Sequence, residues 1–215
     1  MTDFAAARRM MVDGQVRTAD VTDLRIISAM EEIPREGFVP PASASLAYLD
    51  FDLPVDGARR LIKPMVLAKL IQAADIAPTD RVLDVGCATG YAAAVLARVA
   101  GSVVALEEDK KLAAAAKAAL ATIANVTCAV GPLAAGWAKA APYDVIVLEG
   151  ATDVVPHALC RQLKDDGRLV CVLGSGPGAK AMLYRRSGED FGERPIFDAA
   201  APLLPGFAKQ PVFAF

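Results

Sequence analysis

The sequence predicts an α/β fold: a mostly parallel sheet of about seven strands with helices on both faces, preceded by an N-terminal helical extension. Three observations predict it. From Arg81 onward, apolar runs of strand length alternate with segments of helical spacing, as in βαβ units. The stretch Arg81-Val-Leu-Asp-Val-Gly-Cys-Ala-Thr-Gly-Tyr91 reads as a buried parallel strand, a tight glycine turn and the start of an Ala-rich helix. After Gly174 the pattern changes, and Ala179–Arg186 and Pro211–Phe215 read as short strands added antiparallel at one edge.

The elements follow in order. Residues 4–17 form an amphipathic helix. Val21, Leu24, Ile26, Ile27, Met30 and Ile33 recur at helical spacing, with Asp20 or Thr22 as N-cap and Pro34 as the stop. Arg35–Lys63 is loop-rich, and a loop of that length within a compact domain is usually functional. Pro64 opens a helix that runs through Ala77 until Pro78 stops it. Strands are expected at 81–85, 102–107, 125–130, 143–148 and 168–173, and helices at 90–100, 109–123, 132–140 and 156–164.

With 215 residues, 54% of them hydrophobic and 22% charged, the chain can bury one sizeable core. A single domain over 1–215 is expected, with 1–63 the helical and loop region and 64–215 the α/β core. A formal net charge of -2 offers no field to attract nucleic acid or an anionic membrane surface, so neither is an expected partner. No apolar run approaches the roughly 20 residues of a spanning helix. Asp3 and Asp13 interrupt the start where a signal peptide would be apolar, so a cytoplasmic chain is expected. Cys87, Cys128, Cys160 and Cys171 have no paired spacing and His157 is the sole histidine, so no metal site is expected and the thiols read as reduced and buried.

The glycine turn can bring backbone N–H groups close to a small polar ligand at the strand's carboxyl end. A dinucleotide fingerprint starting at Gly86 needs glycines at 88 and 91, where Ala88 and Tyr91 stand, and no Gly-Lys-Ser/Thr ending marks a phosphate loop. What remains is an acid in the strand, Asp84, then Gly86-x-x-x-Gly90, then a second acid, Glu107, after the apolar run Val103–Leu106. This pattern resembles the S-adenosyl-L-methionine site of Rossmann-like methyltransferases. The resemblance implies that Asp84 faces the methionine amino group, with Gly86, Cys87, Ala88 and Gly90 around the methionine part, and that Glu107 accepts from the ribose hydroxyls. Gly131 and Pro132 would lie by the adenine, with Glu108 supplying an acid there, and S-adenosyl-L-homocysteine would be the product.

The run Ile33-Pro-Arg-Glu-Gly-Phe-Val-Pro40, then Ala47-Tyr-Leu-Asp50, Leu53-Pro-Val55, Gly136-Trp137, Tyr143-Asp144 and Gly167-Arg-Leu-Val170, resembles the protein-L-isoaspartate O-methyltransferase family over nearly the whole chain. The resemblance implies methyl transfer to the carboxylate of an isoaspartyl residue, so the partner would be a peptide or protein carboxylate acceptor, met by a monomer or weak dimer. The segment Asp56–Lys63 would close over that acceptor. Where the family carries Gln-Thr-Ile-Ser-Gln before the proline, this chain has Arg59-Arg60-Leu61-Ile62-Lys63, with Ile62 at the serine position and Arg60 at the threonine position. Asp56 and Ala58 replace two family glycines, and Pro132 replaces an acid. No catalytic residue is therefore assigned. The cations Arg59, Arg60 and Lys63 suit a grip on an anionic acceptor, and they equally suit a solvated loop. Three other readings stay open: another anionic acceptor, a non-catalytic cofactor-binding protein, and a nicotinamide-dependent oxidoreductase, against which Ala88 and Tyr91 count.

Overall fold

The computed structural model describes residues 3–209. Asp3 caps α1 (Phe4–Met11) by accepting from the Ala6 amide, and the path continues through a π-helical turn (Val12–Val16) and a 3-10 turn (Arg17–Ala19). The helix expected over 4–17 is thus continuous in path, with α geometry only to Met11. α2 (Leu24–Glu32) starts later than expected, because Asp23 is its cap; Asp20 instead ends the preceding turn at φ +63°.

Where the sequence suggests only loop, Arg35–Lys63 contains two 3-10 turns (Arg35–Phe38 and Pro41–Leu46) and a small hairpin, β1 (Leu53–Asp56) with β2 (Arg59–Leu61). Strands this short, one of them carrying Pro54, leave almost no alternation to read. α3 (Pro64–Ala73) stops well before Pro78: Asp75 takes a left-handed φ of +48°, and Arg168 donates to the carbonyls of Ala74 and Asp75.

The alternating region then follows as β3 (Arg81–Val85), α4 (Tyr91–Val99), β4 (Ser102–Glu107), α5 (Lys110–Ala119), β5 (Val126–Val130), β6 (Tyr143–Thr152), α6 (His157–Cys160) and β7 (Leu163–Leu173). Three expected helices are corrected. The one at 109–123 ends at Ala119. The one at 132–140 is two 3-10 turns, Leu133–Ala135 and Ala138–Ala140, parted by Gly136 at φ +64°. The one at 156–164 is the single turn α6, because Leu163 already begins β7. The expected strand at 179–186 appears as β8 (Lys180–Ser187), and it pairs with an unexpected β9 (Asp190–Asp198), whose polar sequence and Pro195 suit an edge. The expected strand Pro211–Phe215 lies outside the described residues.

The seven strands run in the order β5-β4-β3-β6-β7-β8-β9, parallel from β5 to β7 and antiparallel thereafter. Alternate residues divide between two apolar layers. Val82, Val103 and Val145 pack with α2, α3 and α4 on one face, whereas Leu83, Val104 and Ile146 pack with α6, Leu133, Leu204 and Phe207 on the other. Successive strands run from β3 outward through β4 and β5, and the chain then returns to lay β6 on the other side of β3. The carboxyl end of β3 is therefore the topological switch point, where an open α/β sheet forms its crevice.

Candidate functional site

Three acids meet at that crevice, one from each central strand. Asp84 comes from β3, Glu107 from the tip of β4 and Glu149 from β6, and all three are buried. Asp84 and Glu107 sit on neighbouring parallel strands, and the turn after β3 bridges them: the amides of Gly86 and Cys87 donate to Leu106 O at 2.9 and 3.1 Å, and the Ala88 amide donates to Glu107 Oε2 at 2.8 Å. The sequence requires glycine twice in this turn. Gly86 has φ +82° and Gly90, the residue before α4, has φ +97°. A Cβ on Gly86 would stand 2.9 Å from Leu204 Cδ2 and 3.2 Å from Arg59 Nη2, so a side chain there would have to displace both of those ends.

Both carboxylate oxygens of Asp84 are buried and lack a donor among the described residues, as does Glu149 Oε1. Burial pushes the Asp84 carboxyl up to about 7, and the nearby Glu107 charge adds to this while Glu149 and Arg59 oppose it. Burial and then the Asp84 charge raise the Glu149 carboxyl well above the ordinary range. Cys87 lies in the same dry turn, and burial raises its thiol well above the usual range, so it is an inert wall rather than a nucleophile.

Sequence reasoning missed Glu149. It reads as one more residue of an apolar run, but β6 bulges there. Val147 pairs with Val170 and Ala151 with Val172, so four residue steps on β6 face two on β7. The bulge turns the Glu149 carboxyl toward Asp84. A charged residue followed by glycine at the end of a buried strand was the available signal. The tail also contributes: Ala151 N donates to Pro202 O and Leu204 N to Ala151 O, so Leu204 lies over Gly86 and Gly150.

The other expected site residues are distributed as follows. Glu108 is half-buried and accepts from the Leu133 amide at 3.4 Å, which joins it to the turn after β5. Gly131 is against the Trp137 ring, 3.3 Å from where its Cβ would be, and Pro132 is exposed beside it. Of the proposed acceptor segment, Arg59 turns inward and its Nη2 donates to Glu107 Oε2 at 2.6 Å and to Gly86 O at 3.0 Å. Leu61 and Ile62 are each 1% exposed and belong to the main apolar cluster, so neither side chain reaches an open surface. Arg60 and Lys63 are half-buried without ion-pair partners among the described residues, and the Lys63 amide is held by Asp52. His157 is exposed at the start of α6.

A doubly wound sheet whose switch point joins an orphaned strand-tip acid, a glycine cradle and a second acid on the next strand defines a Rossmann-like methyltransferase. Comparison narrows the class. The family model for protein-L-isoaspartate(D-aspartate) O-methyltransferase matches residues 7–194, and the chain belongs to that family. It is 41% identical over 207 residues to a protein-L-isoaspartate O-methyltransferase of Methylorubrum extorquens, covering 95% of this chain and 91% of that one. It is 38% identical to the one from Roseiflexus castenholzii, covering 96% and 95%. Among solved structures, a protein-L-isoaspartate O-methyltransferase superposes with a TM-score of 0.79 at 27% identity over 93% of this chain and 66% of that one. A Plasmodium falciparum structure described as a putative member, in complex with S-adenosyl-L-homocysteine, shares the fold with a TM-score of 0.77 at 15% identity, covering 92% of this chain and 97% of that one.

The family's cofactor, S-adenosyl-L-methionine, fits the residues present. Asp84 offers two unpaired buried oxygens for an ammonium group, and the space over Gly86 is closed only by the ends of the Leu204 and Arg59 side chains and by Leu133. No helix among the described residues is long and apolar enough to cross a membrane.

Proposed function

We propose that this chain transfers a methyl group from S-adenosyl-L-methionine to the carboxylate of an isoaspartyl residue in a peptide or protein. The observation that carries the reading is Asp84: a fully buried carboxylate whose two oxygens await donors, beside a glycine turn, in a chain of this family. When bound, the cofactor supplies a methyl group on a positively charged sulfonium, itself the leaving group. Asp84 holds the amino group, Glu107 the ribose, and Gly131, Pro132 and Glu108 border the adenine.

The acceptor carboxylate has a reference pKa near 4 and is already ionised at neutral pH, so no general base is required. What the chain supplies is orientation and the exclusion of water, and orientation contributes up to roughly 7–11 kcal/mol. The buried walls at Cys87 and Leu204 suit that task, and the exposed His157 takes no part.

Transfer to a different anionic acceptor is a second reading, favoured by Ile62, which has no hydroxyl where the family has serine. One assay separates the two: methyl esterification of an isoaspartyl peptide against its aspartyl isomer. Selective esterification of the isoaspartyl form supports the first reading. Cofactor binding without esterification of either peptide shifts the conclusion to the second.

A further inference from the structure

Glu107 is saturated. Its Oε1 accepts from the amides of Glu108 at 3.0 Å and Asp109 at 3.2 Å, and its Oε2 from the Ala88 amide at 2.8 Å and Arg59 Nη2 at 2.6 Å. An ionised carboxylate has about four lone-pair sites, and all are used. Three of the donors are backbone amides fixed by the glycine turn and the β4–α5 junction. The fourth is the end of a flexible side chain. A ribose diol that meets Glu107 can therefore displace one partner only, and that partner is Arg59.

We infer that Arg59 is an exchange residue. It holds Glu107 before the cofactor arrives, yields that carboxylate to the ribose hydroxyls, and then presents its guanidinium to the acceptor's carboxylate. The inference rests on the methyltransferase reading above and adds the order of binding and the residue that recognises the acceptor's charge.

Three observations support it. The guanidinium lies inside the cradle, since Nη2 is shared between Glu107 and Gly86 O, and the side chain is only 12% exposed. Arg59 Nε is buried with no partner among the described residues, so the fork has a free donor for an incoming carboxylate. Finally, Arg59 is carried by the β1–β2 hairpin, a two-stranded sheet separate from the seven-stranded one, with Gly57 at φ +51° in its turn. The hairpin can shift without breaking a ladder of the large sheet. Arg60 neighbours Arg59 but projects to the opposite side of β2, across from Pro54, and Lys63 lies beyond the strand. Of the three clustered cations, only Arg59 connects cofactor acid and acceptor segment.

The consequence is an ordered reaction. The acceptor site gains its guanidinium only after the cofactor has taken Glu107, so an anionic acceptor binds second.

The test uses calorimetry on the full chain with S-adenosyl-L-homocysteine and an isoaspartyl peptide. In the unaltered protein the peptide is expected to bind only when S-adenosyl-L-homocysteine is present. Arg59→Met removes the competing donor, and is expected to bind S-adenosyl-L-homocysteine about tenfold more tightly while KM for the peptide rises about tenfold or more, with a smaller change in kcat. Arg59→Lys, which keeps the charge without the planar fork, falls between the two. Equal peptide binding with and without S-adenosyl-L-homocysteine overturns the inference, and so does an Arg59→Met chain that keeps the unaltered melting temperature yet binds S-adenosyl-L-homocysteine no better. If the unaltered chain fails to bind S-adenosyl-L-homocysteine at all, the proposed function falls with it.

Discussion

Asp84 of β3 and Glu149 of β6 face one another as a carboxyl pair cut off from solvent. Two neighbouring carboxyls in a dry site resist ionising together, so the pair holds one proton until a cation arrives. The Arg59 charge acts on both carboxyls, and its guanidinium is engaged by Glu107. Cys87 and the buried Arg35 also lie within electrostatic reach of Glu149. Burial raises both carboxyls, Asp84 to about 7 and Glu149 well above the ordinary range.

Cofactor affinity is expected to rise with pH. Only an ionised Asp84 accepts from an ammonium group, so S-adenosyl-L-homocysteine should bind progressively better as pH climbs toward about 7 and then level off. The slope below that value approaches about tenfold per unit. Titrations from pH 5.5 to 8.5 check this. Glu149→Gln, a neutral isostere of the protonated acid, should bind much as the unaltered chain does at pH 7.

The same pair governs stability. An acid that holds its proton more tightly folded than unfolded favours folding where it is protonated. For Asp84 that contribution is complete below the unfolded value near 4 and is lost as pH rises through the folded value of about 7. Replacing Asp84 with Asn removes the dependence. Between pH 5 and pH 8, Asp84→Asn should gain roughly 2–3 kcal/mol on the unaltered chain, read from denaturant midpoints at the two pH values. A constant difference across that range would count against a protonated pair.

Gly86→Ala combines a left-handed backbone with a Cβ placed 2.9 Å from Leu204 Cδ2. The backbone alone costs about 1–2 kcal/mol. Leu204 and the Arg59 guanidinium must also move, so S-adenosyl-L-homocysteine binding is expected to be lost even where the variant folds. Calorimetry and a melting curve on one sample separate the two effects.

Arg35 is 1% exposed and reaches from the turn after α2 into the segment that leads to the site. It donates to Ala47 O at 2.9 Å and to Ile62 O at 2.8 Å, and its guanidinium stacks 4.5 Å from the centroid of Tyr91 at the start of α4. Arg35→Met leaves both carbonyls unpaired and should destabilise the chain by about 2–4 kcal/mol. Because Ile62 precedes α3 and follows Arg59 closely, the variant should also raise KM for the peptide. A variant that melts as the unaltered chain does would show that this tether is dispensable.

Much of the site was legible in the sequence because its signals are local. A strand-tip acid, a Gly-x-x-x-Gly turn and a second acid after the next apolar run follow from chain order alone, and Asp84, Gly86, Gly90 and Glu107 come together at the switch point. The short elements were not legible. A one-turn helix at His157, two 3-10 turns around Gly136 and the hairpin at Leu53–Leu61 span fewer residues than a period needs to declare itself.

The sequence by itself determined the alternation of strands and helices, and hence a parallel sheet with its crevice at the end of β3, because hydrophobic periodicity and glycine turns act within a few residues of themselves. Only the tertiary structure decided which side chains fill that crevice. Glu149 enters it through a bulge set by pairing with β7, Arg59 through a hairpin that folds back onto Glu107, and Leu204 through a tail bonded to Ala151. Each depends on a contact between segments far apart in the chain, where burial and charge are properties of the assembled neighbourhood rather than of any local run of residues.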